Sequence, residues 1–284
     1  MKWANVVVNG GVRAGLVQGD AICLSEASDV LYILSDLSAA AAQAQSGPRI
    51  PLAEAQLRQP ILRPGKILGI GLNYAAHAKE SVSFVKSTPA SVQKWFNKQS
   101  TAANGPYEPV HLPKVSDQLD YEAELVAIIG KRGRHVPEKR ALDLIAGFCC
   151  GCDVSVRDWQ RASQTMIMGK GFDTHAPFGP YLVTPDEIED FGAIEVRGYV
   201  NGELRQSGHA RDMVFSLPQQ IAHLTQAFTL EPGDVIFTGT PAGVGAGFDP
   251  PKWLRKGDRV RVEIDGLGHI ENAIEREPGE TVLE

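Results

Sequence analysis

The segment Asp120-Tyr121-Glu122-Ala123-Glu124-Leu125-Val126-Ala127-Ile128-Ile129 sets carboxylates into an otherwise apolar stretch. In a strand, residues two apart face the same way. Glu122 and Glu124 then stand side by side on the face that continues through Val126 and Ile128. Such a pair repels and is costly to desolvate unless a cation lies between its members; a solvated strand end would carry the same pair without forming a site. Asp153 shifts the balance, because it closes the apolar run from Ile145 to Cys152, where an unpaired carboxylate is again costly. Three carboxylates with no accompanying Cys/His set suit a hard cation, Mg²⁺ or Mn²⁺, with positions left for water or substrate.

Two other segments carry reactive groups. In Gly71-Leu72-Asn73-Tyr74-Ala75-Ala76-His77-Ala78-Lys79-Glu80, a helix brings His77 and Glu80 onto one face. The carboxylate can then fix the imidazole tautomer and raise its basicity, although the same spacing also decorates ordinary helix surfaces. In Met168-Gly169-Lys170-Gly171-Phe172-Asp173-Thr174, glycines on both sides of Lys170 permit close backbone approach. The lysine is placed to stabilise a developing oxyanion, or else is a solvated loop residue. His175 is close enough in sequence to be tested as a pocket residue. The glycine-rich run Thr238 to Gly247 follows a strand but lacks the spacing and the following helix of a nucleotide loop, and reads as a tight wall of a pocket.

These segments need a frame. Residues 2–24 read as short strands, 28–44 as a helix capped by Ser28 or Asp29, and Pro51 to Pro64 as a connector, which sets a small N-terminal domain (1–62) before a larger one (63–284). Lys66–Leu72, Tyr121–Ile129 and Ala146–Asp153 read as buried strands, and Asn73 as a helix cap. Residues 81–108 show weak periodicity and read as a mobile segment or lid. Pro218 opens a helix, and Asn201-Gly202 marks a hairpin. Strands dominate without regular βαβ alternation, which argues for a β-rich, mixed-sheet α+β fold.

Bulk properties exclude several classes. The 284 residues are 43% hydrophobic and 22% charged with net charge −6, which suits a globular protein and provides no basic field for nucleic acid. No apolar run approaches a membrane span. The N-terminus turns polar at Asn9-Gly10-Gly11 before a signal core forms, so a cytoplasmic location is expected. Cys149 and Cys152 have CxxC spacing, but no second Cys/His pair completes a zinc set, and buried reduced thiols are the expected reading.

Taken in order, Gly-Leu-Asn-Tyr-x-x-His-x-x-Glu (71–80), Asp-Tyr-Glu-x-Glu-Leu (120–125), Asp-Val-Ser-x-Arg-Asp-x-Gln (153–160), Gly-Lys-x-Phe-Asp-Thr (169–174) and Gly-Asp-Val-Ile-x-Thr-Gly-Thr-Pro-x-Gly-Val-Gly (233–245) make the chain resemble the fumarylacetoacetate hydrolase family in its shorter bacterial form, from about Lys66 to Asn272. The resemblance implies that Glu122, Glu124 and Asp153 bind Mg²⁺ or Mn²⁺. It implies that His77 and Glu80 activate water from a lid element, and that Lys170 is the family's active-site lysine. Arg157, Gln160 and Thr240 match positions that contact substrate. It further implies the family's β-rich catalytic fold and a homodimer. The stretch Ser87–Pro109 departs from compact members where substrate selection is expected.

The leading expectation is a metal-dependent hydrolase that cleaves a C–C bond in an acylpyruvate-like or other diketo acid through an enolate that the ion stabilises. A decarboxylase or isomerase of a 2-oxo or 2-hydroxydienoic acid uses the same enolate without water attack. A non-enzymatic ligand-binding module is the third reading; His77, Glu80 and Lys170 weigh against it, since binding alone needs no general base.

Overall fold

The computed structural model describes residues 1–81 and 91–279. Its framework is one long sheet and one shorter sheet packed face to face. In the long sheet the strands run in the order Arg49–Pro51, Ala21–Leu24, Gly11–Gln18, Lys2–Val8, Ala176–Val183, Ile145–Cys152, Ala123–Ile129, Val235–Phe237, Ile67–Gly71 and Lys94–Lys98. Neighbours along it are antiparallel except Val235–Phe237 beside Ile67–Gly71, which is parallel. The shorter sheet runs Glu203–His209, Glu195–Val200, Arg259–Ile264, Gly268–Arg276, Val110–Leu112, with its last pair parallel. This is a β-rich mixed-sheet architecture of the α+β kind.

Side-chain alternation sends the central strands' residues into two cores. From Ala123–Ile129, Ala123, Leu125, Ala127 and Ile129 face the shorter sheet and pack with residues such as Val196, Val262 and Ile270. Val126 and Ile128 face the other way, into a core that holds Trp3, Ala44, Phe178 and Phe237. The strands of the first 62 residues extend the long sheet through Lys2–Val8, which pairs with Ala176–Val183; Trp3, Ala14, Leu16 and Cys23 share that second core, while Ala4, Val6, Ile22, Leu24 and Leu57 form a smaller cluster of their own.

Three local expectations change. The segment 28–44 is two pieces, a 3₁₀ turn Val30–Ile33 and a helix Leu37–Ala44. Asp29 accepts from the Leu31 N–H at 2.8 Å and Asp36 from the Ala39 N–H at 2.9 Å, and each of these side-chain caps starts its own turn. Asn73 does not cap the helix Ala75–Ser81; it ties two loops together, donating to the Phe215 and Thr238 carbonyls and accepting from the Phe215 N–H. The expected lid over 81–108 is a sheet strand from Lys94 to Lys98, antiparallel to Ile67–Gly71; residues 82–90 lie outside the described residues. At Asn201-Gly202 both residues have positive φ, 53° and 81°, as a two-residue hairpin turn requires. No helix among the described residues is long and apolar enough to cross a membrane.

Candidate active site

The Ala123–Ile129 and Ile145–Cys152 strands pair in the register Ala123↔Cys152 and Glu124↔Gly151. The Asp153 N–H continues the ladder by donating to the Glu122 carbonyl at 2.8 Å. This places Glu122, Glu124 and Asp153 together, with one oxygen from each within 4.8 Å of the others. All three are buried, Asp153 completely.

Three cations meet this acidic floor. Lys170 donates to Glu122 Oε2 at 2.7 Å and to Asp153 Oδ2 at 2.6 Å. Lys98, which the sequence reading did not single out, donates to Asp153 Oδ1 at 2.5 Å and to the Val154 carbonyl at 3.0 Å. Arg157 pairs with Asp120 at 2.8 Å and Glu122 at 2.7 Å, and donates to Gln160 Oε1 at 2.9 Å. Glu124 has no cationic partner among the described residues; it accepts the Gly239 N–H at 2.7 Å.

The charges respond accordingly. Burial opposes ionisation of Glu122, but Lys170, then Arg157 and His77, outweigh it and hold its carboxyl well below the usual range. Glu124 goes the other way: burial, then Asp153 and Glu122, push its carboxyl well up. Burial lowers the Lys98 ammonium despite Asp153, whereas Asp153 and Glu122 hold Lys170 up against burial. A clustered, buried, oxygen-only donor set with one carboxylate lacking a counter-charge fits a hard divalent ion.

The helix Ala75–Ser81 carries His77 and Glu80, whose Nδ1 and Oε2 lie 3.1 Å apart. Glu80 is fixed from its other side by the Gly243 N–H at 2.9 Å. The loop after Val235–Phe237 thus supplies backbone donors to three carboxylates, since Gly245 and Ala246 also donate to Asp120 at 2.7 and 3.0 Å. Gly239 and Gly243 both adopt φ of 106°, which a side chain would strain. The wall expected from this segment is a wall of N–H groups.

His77, Glu122, Glu124, Arg157, Gln160, Lys170 and Thr240 all line one cavity of about 510 Å³. Asp153 and Glu80 sit behind this surface, each bonded to a lining residue. Thr240 also bonds inward, donating to the Ala123 carbonyl at 2.9 Å and accepting from Gln206 at 2.7 Å. His175 borders a different depression. There it is buried, stacked on Phe172 at 5.4 Å and paired with the His111 carbonyl at 2.8 Å; burial lowers its pKa to about 3. Leu72 and Met166, both on the cavity wall, have positive φ of 61° and 60°. Strained residues of this kind gather at sites whose surroundings over-determine them.

Fold and site together describe an enzyme centred on buried carboxylates inside a β-rich scaffold. The fumarylacetoacetate hydrolase C-terminal family model matches residues 66–275, and the chain belongs to that family. It is 42% identical over 228 residues to the rat protein named oxaloacetate tautomerase Fahd2a, mitochondrial, covering 80% of this chain and 72% of the relative. Among solved structures, fumarylacetoacetate hydrolase from Exiguobacterium antarcticum is 33% identical with a TM-score of 0.86, over 98% of this chain and all of that one. Maleylpyruvate hydrolase from Sphingobium sp. SYK-6, solved with manganese(II) and pyruvate, is 31% identical with a TM-score of 0.81 over 98% of this chain and all of that one.

Proposed function

We propose that this chain is a divalent-metal-dependent enzyme that forms and reprotonates the enolate of a small 2-oxo acid, with keto–enol tautomerisation as its reaction. The observation that carries this reading is the convergence of the carboxylate trio, the His77–Glu80 pair and Lys170 on one cavity. The similarity to oxaloacetate tautomerases supports tautomerisation over cleavage.

Glu122, Glu124 and Asp153, whose oxygens cluster in the cavity floor, would hold Mg²⁺ or Mn²⁺; that the Sphingobium relative was solved with manganese(II) supports a divalent ion as the cofactor. Such an ion supplies Lewis acidity at a ketone oxygen. Glu80 accepts from His77 Nδ1–H, which leaves Nε2 as the atom that takes the proton from the carbon beside the ketone. The electron pair of that C–H bond moves to the ketone oxygen, where the Lys170 ammonium stabilises the negative charge. Return of the proton to oxygen gives the enol and to carbon the ketone. Arg157, Gln160 and Thr240 form the wall that orients the substrate's oxygens.

Hydrolytic C–C cleavage is the second reading, favoured by the same histidine–carboxylate pair, which can deprotonate water, and by solved relatives that are named as hydrolases. The chelated protein, reloaded with Mg²⁺ or Mn²⁺, is tested on oxaloacetate and on acetylpyruvate. Loss of enol absorbance without CO₂ or cleavage products supports tautomerisation. Release of acetate and pyruvate from acetylpyruvate supports hydrolysis, and CO₂ from oxaloacetate supports decarboxylation. Full activity after exhaustive chelation would overturn the metal-centred reading. Homodimerisation and a cytoplasmic location, expected above, remain part of this proposal and are read from light scattering and cell fractionation.

A further inference from the structure

Asp120 is completely buried and does not line the cavity. A short antiparallel ladder between Leu119–Asp120 and Ser155–Val156 brings it beside Arg157. Both of its oxygens are saturated. Oδ1 accepts from the Tyr121 N–H at 2.8 Å and the Gly245 N–H at 2.7 Å. Oδ2 accepts from Arg157 Nε at 2.8 Å and the Ala246 N–H at 3.0 Å. An ionised carboxylate offers acceptors on both sides, whereas an asparagine would turn its amide N–H groups against one pair of donors.

Each set of bonds leads to the chemistry. On one side Arg157 is fixed, and its Nη1 reaches Glu122 at 2.7 Å and Gln160 at 2.9 Å, both on the cavity wall. On the other side the 3₁₀ turn Gly245–Gly247 is fixed, and Tyr121 holds the same loop by donating from its hydroxyl to the Gly243 carbonyl at 3.0 Å. This loop is the seat of Glu80. The Gly243 N–H donates to Glu80 Oε1 at 2.9 Å, and Gly247 packs so closely that a Cβ there would strike the same carboxylate. Glu80 in turn bonds His77 Nδ1 at 3.1 Å. Asp120 is thus one residue away from the carboxylate floor and one turn away from the partner of the histidine.

We infer that Asp120 is a positioning residue that sets the His77–Glu80 pair against the Arg157–Glu122 side of the floor, so that one buried carboxylate keeps proton transfer and substrate orientation in register. A buried polar network in which every member is satisfied rigidifies what it touches. The inference rests on the reading of His77 as the base and adds what holds that base in place over the floor.

Double-mutant cycles on the full chain loaded with Mg²⁺ test it, with oxaloacetate tautomerisation or acetylpyruvate cleavage as the assay, whichever the wild type performs. Asp120→Asn is expected to lower kcat about 30-fold in the wild type but less than about threefold in Glu80→Gln, where the carboxylate being positioned is gone. It is expected to raise KM about fivefold in the wild type but less than about twofold in Arg157→Lys, whose ammonium cannot fork between Asp120 and Glu122. A merely structural role would give the same losses in every background. Asp120→Glu keeps the charge while displacing the oxygens, and runs the same cycles should Asp120→Asn not fold. Equal losses in the paired backgrounds, or wild-type turnover in a folded Asp120 variant, overturn the inference alone. Wild-type turnover in Glu80→Gln, or a wild type that performs neither reaction, overturns the functional reading and this inference together.

Discussion

Lys98 and Lys170 clasp the two oxygens of a single carboxylate, at 2.5 Å from Asp153 Oδ1 and 2.6 Å from Oδ2. Lys98 approaches from the sheet edge and is fully buried; Lys170 comes from the short helix Ile167–Lys170 and lines the cavity. The two ammonium groups therefore have separable duties. One braces the carboxylate from behind, and the other stands where ion and substrate would meet it.

Lys98→Met is expected to lower stability by about 3–5 kcal/mol, because it removes one partner of a buried ion pair. Mg²⁺ in excess should recover part of the loss by binding the folded state. Thermal unfolding with and without the ion checks both, and an unchanged melting temperature in the metal-free protein would contradict the bracing role.

Lys170→Met should separate two readouts. Turnover is expected to fall by about 100-fold or more through loss of oxyanion stabilisation. Affinity for Mn²⁺ is expected to rise, since no ammonium then competes for Glu122 and Asp153. Steady-state kinetics and metal calorimetry on one preparation measure the pair; a fall in both would place Lys170 among structural supports.

Glu124 makes metal-free stability depend on pH. Its carboxyl is pushed up in the folded state, so it binds its proton more tightly folded than unfolded. That stabilisation is complete below the unfolded carboxylate range near pH 4 and is lost as pH rises toward the folded value. Glu122, held down, contributes the opposite way and loses its stabilisation as pH falls. Glu124→Gln is expected to raise the metal-free melting temperature at pH 7 and to abolish metal binding. Denaturant unfolding between pH 5 and pH 8 should show the wild-type stability penalty growing with pH relative to Glu124→Gln, and Mg²⁺ should shrink it.

His77→Ala is expected to lower turnover by about 10²–10⁴-fold with metal affinity nearly unchanged. Gly247→Ala offers an indirect test of the same pair, because a Cβ there would collide with the Glu80 carboxylate. Its turnover should fall in the direction of Glu80→Gln while the melting temperature stays within a few degrees. Wild-type turnover in His77→Ala would remove the histidine from the mechanism.

The carboxylates were legible because strand periodicity is simple: Glu122 and Glu124 two apart, and Asp153 at the end of the neighbouring apolar run, needed only the pairing of the two strands to meet. Helical spacing likewise brought His77 to Glu80. Lys98 was hidden because an inward-facing lysine breaks the apolar alternation by which a buried strand is recognised, and its segment therefore read as a lid. Asp120 was visible only as a flanking acid, since its partners Gly245, Ala246 and Arg157 are distant in sequence. Backbone donors leave no side-chain signature, so the service of the Thr238–Gly247 loop to Glu124, Glu80 and Asp120 could be read only as a wall. The break between residues 33 and 37 depended on Asp36 capping its own helix, which competed with a continuous apolar stripe.

Because Glu122, Glu124 and Asp153 hang from two strands joined rung by rung, their separation is inherited from inter-strand spacing and not from any loop. Such a jaw cannot be widened or narrowed by modest changes nearby without unzipping the middle of the sheet. Variation among proteins sharing this scaffold is thereby channelled outward, to side chains such as Lys94, Met166 and Arg161 that sit on the throat above a fixed grip.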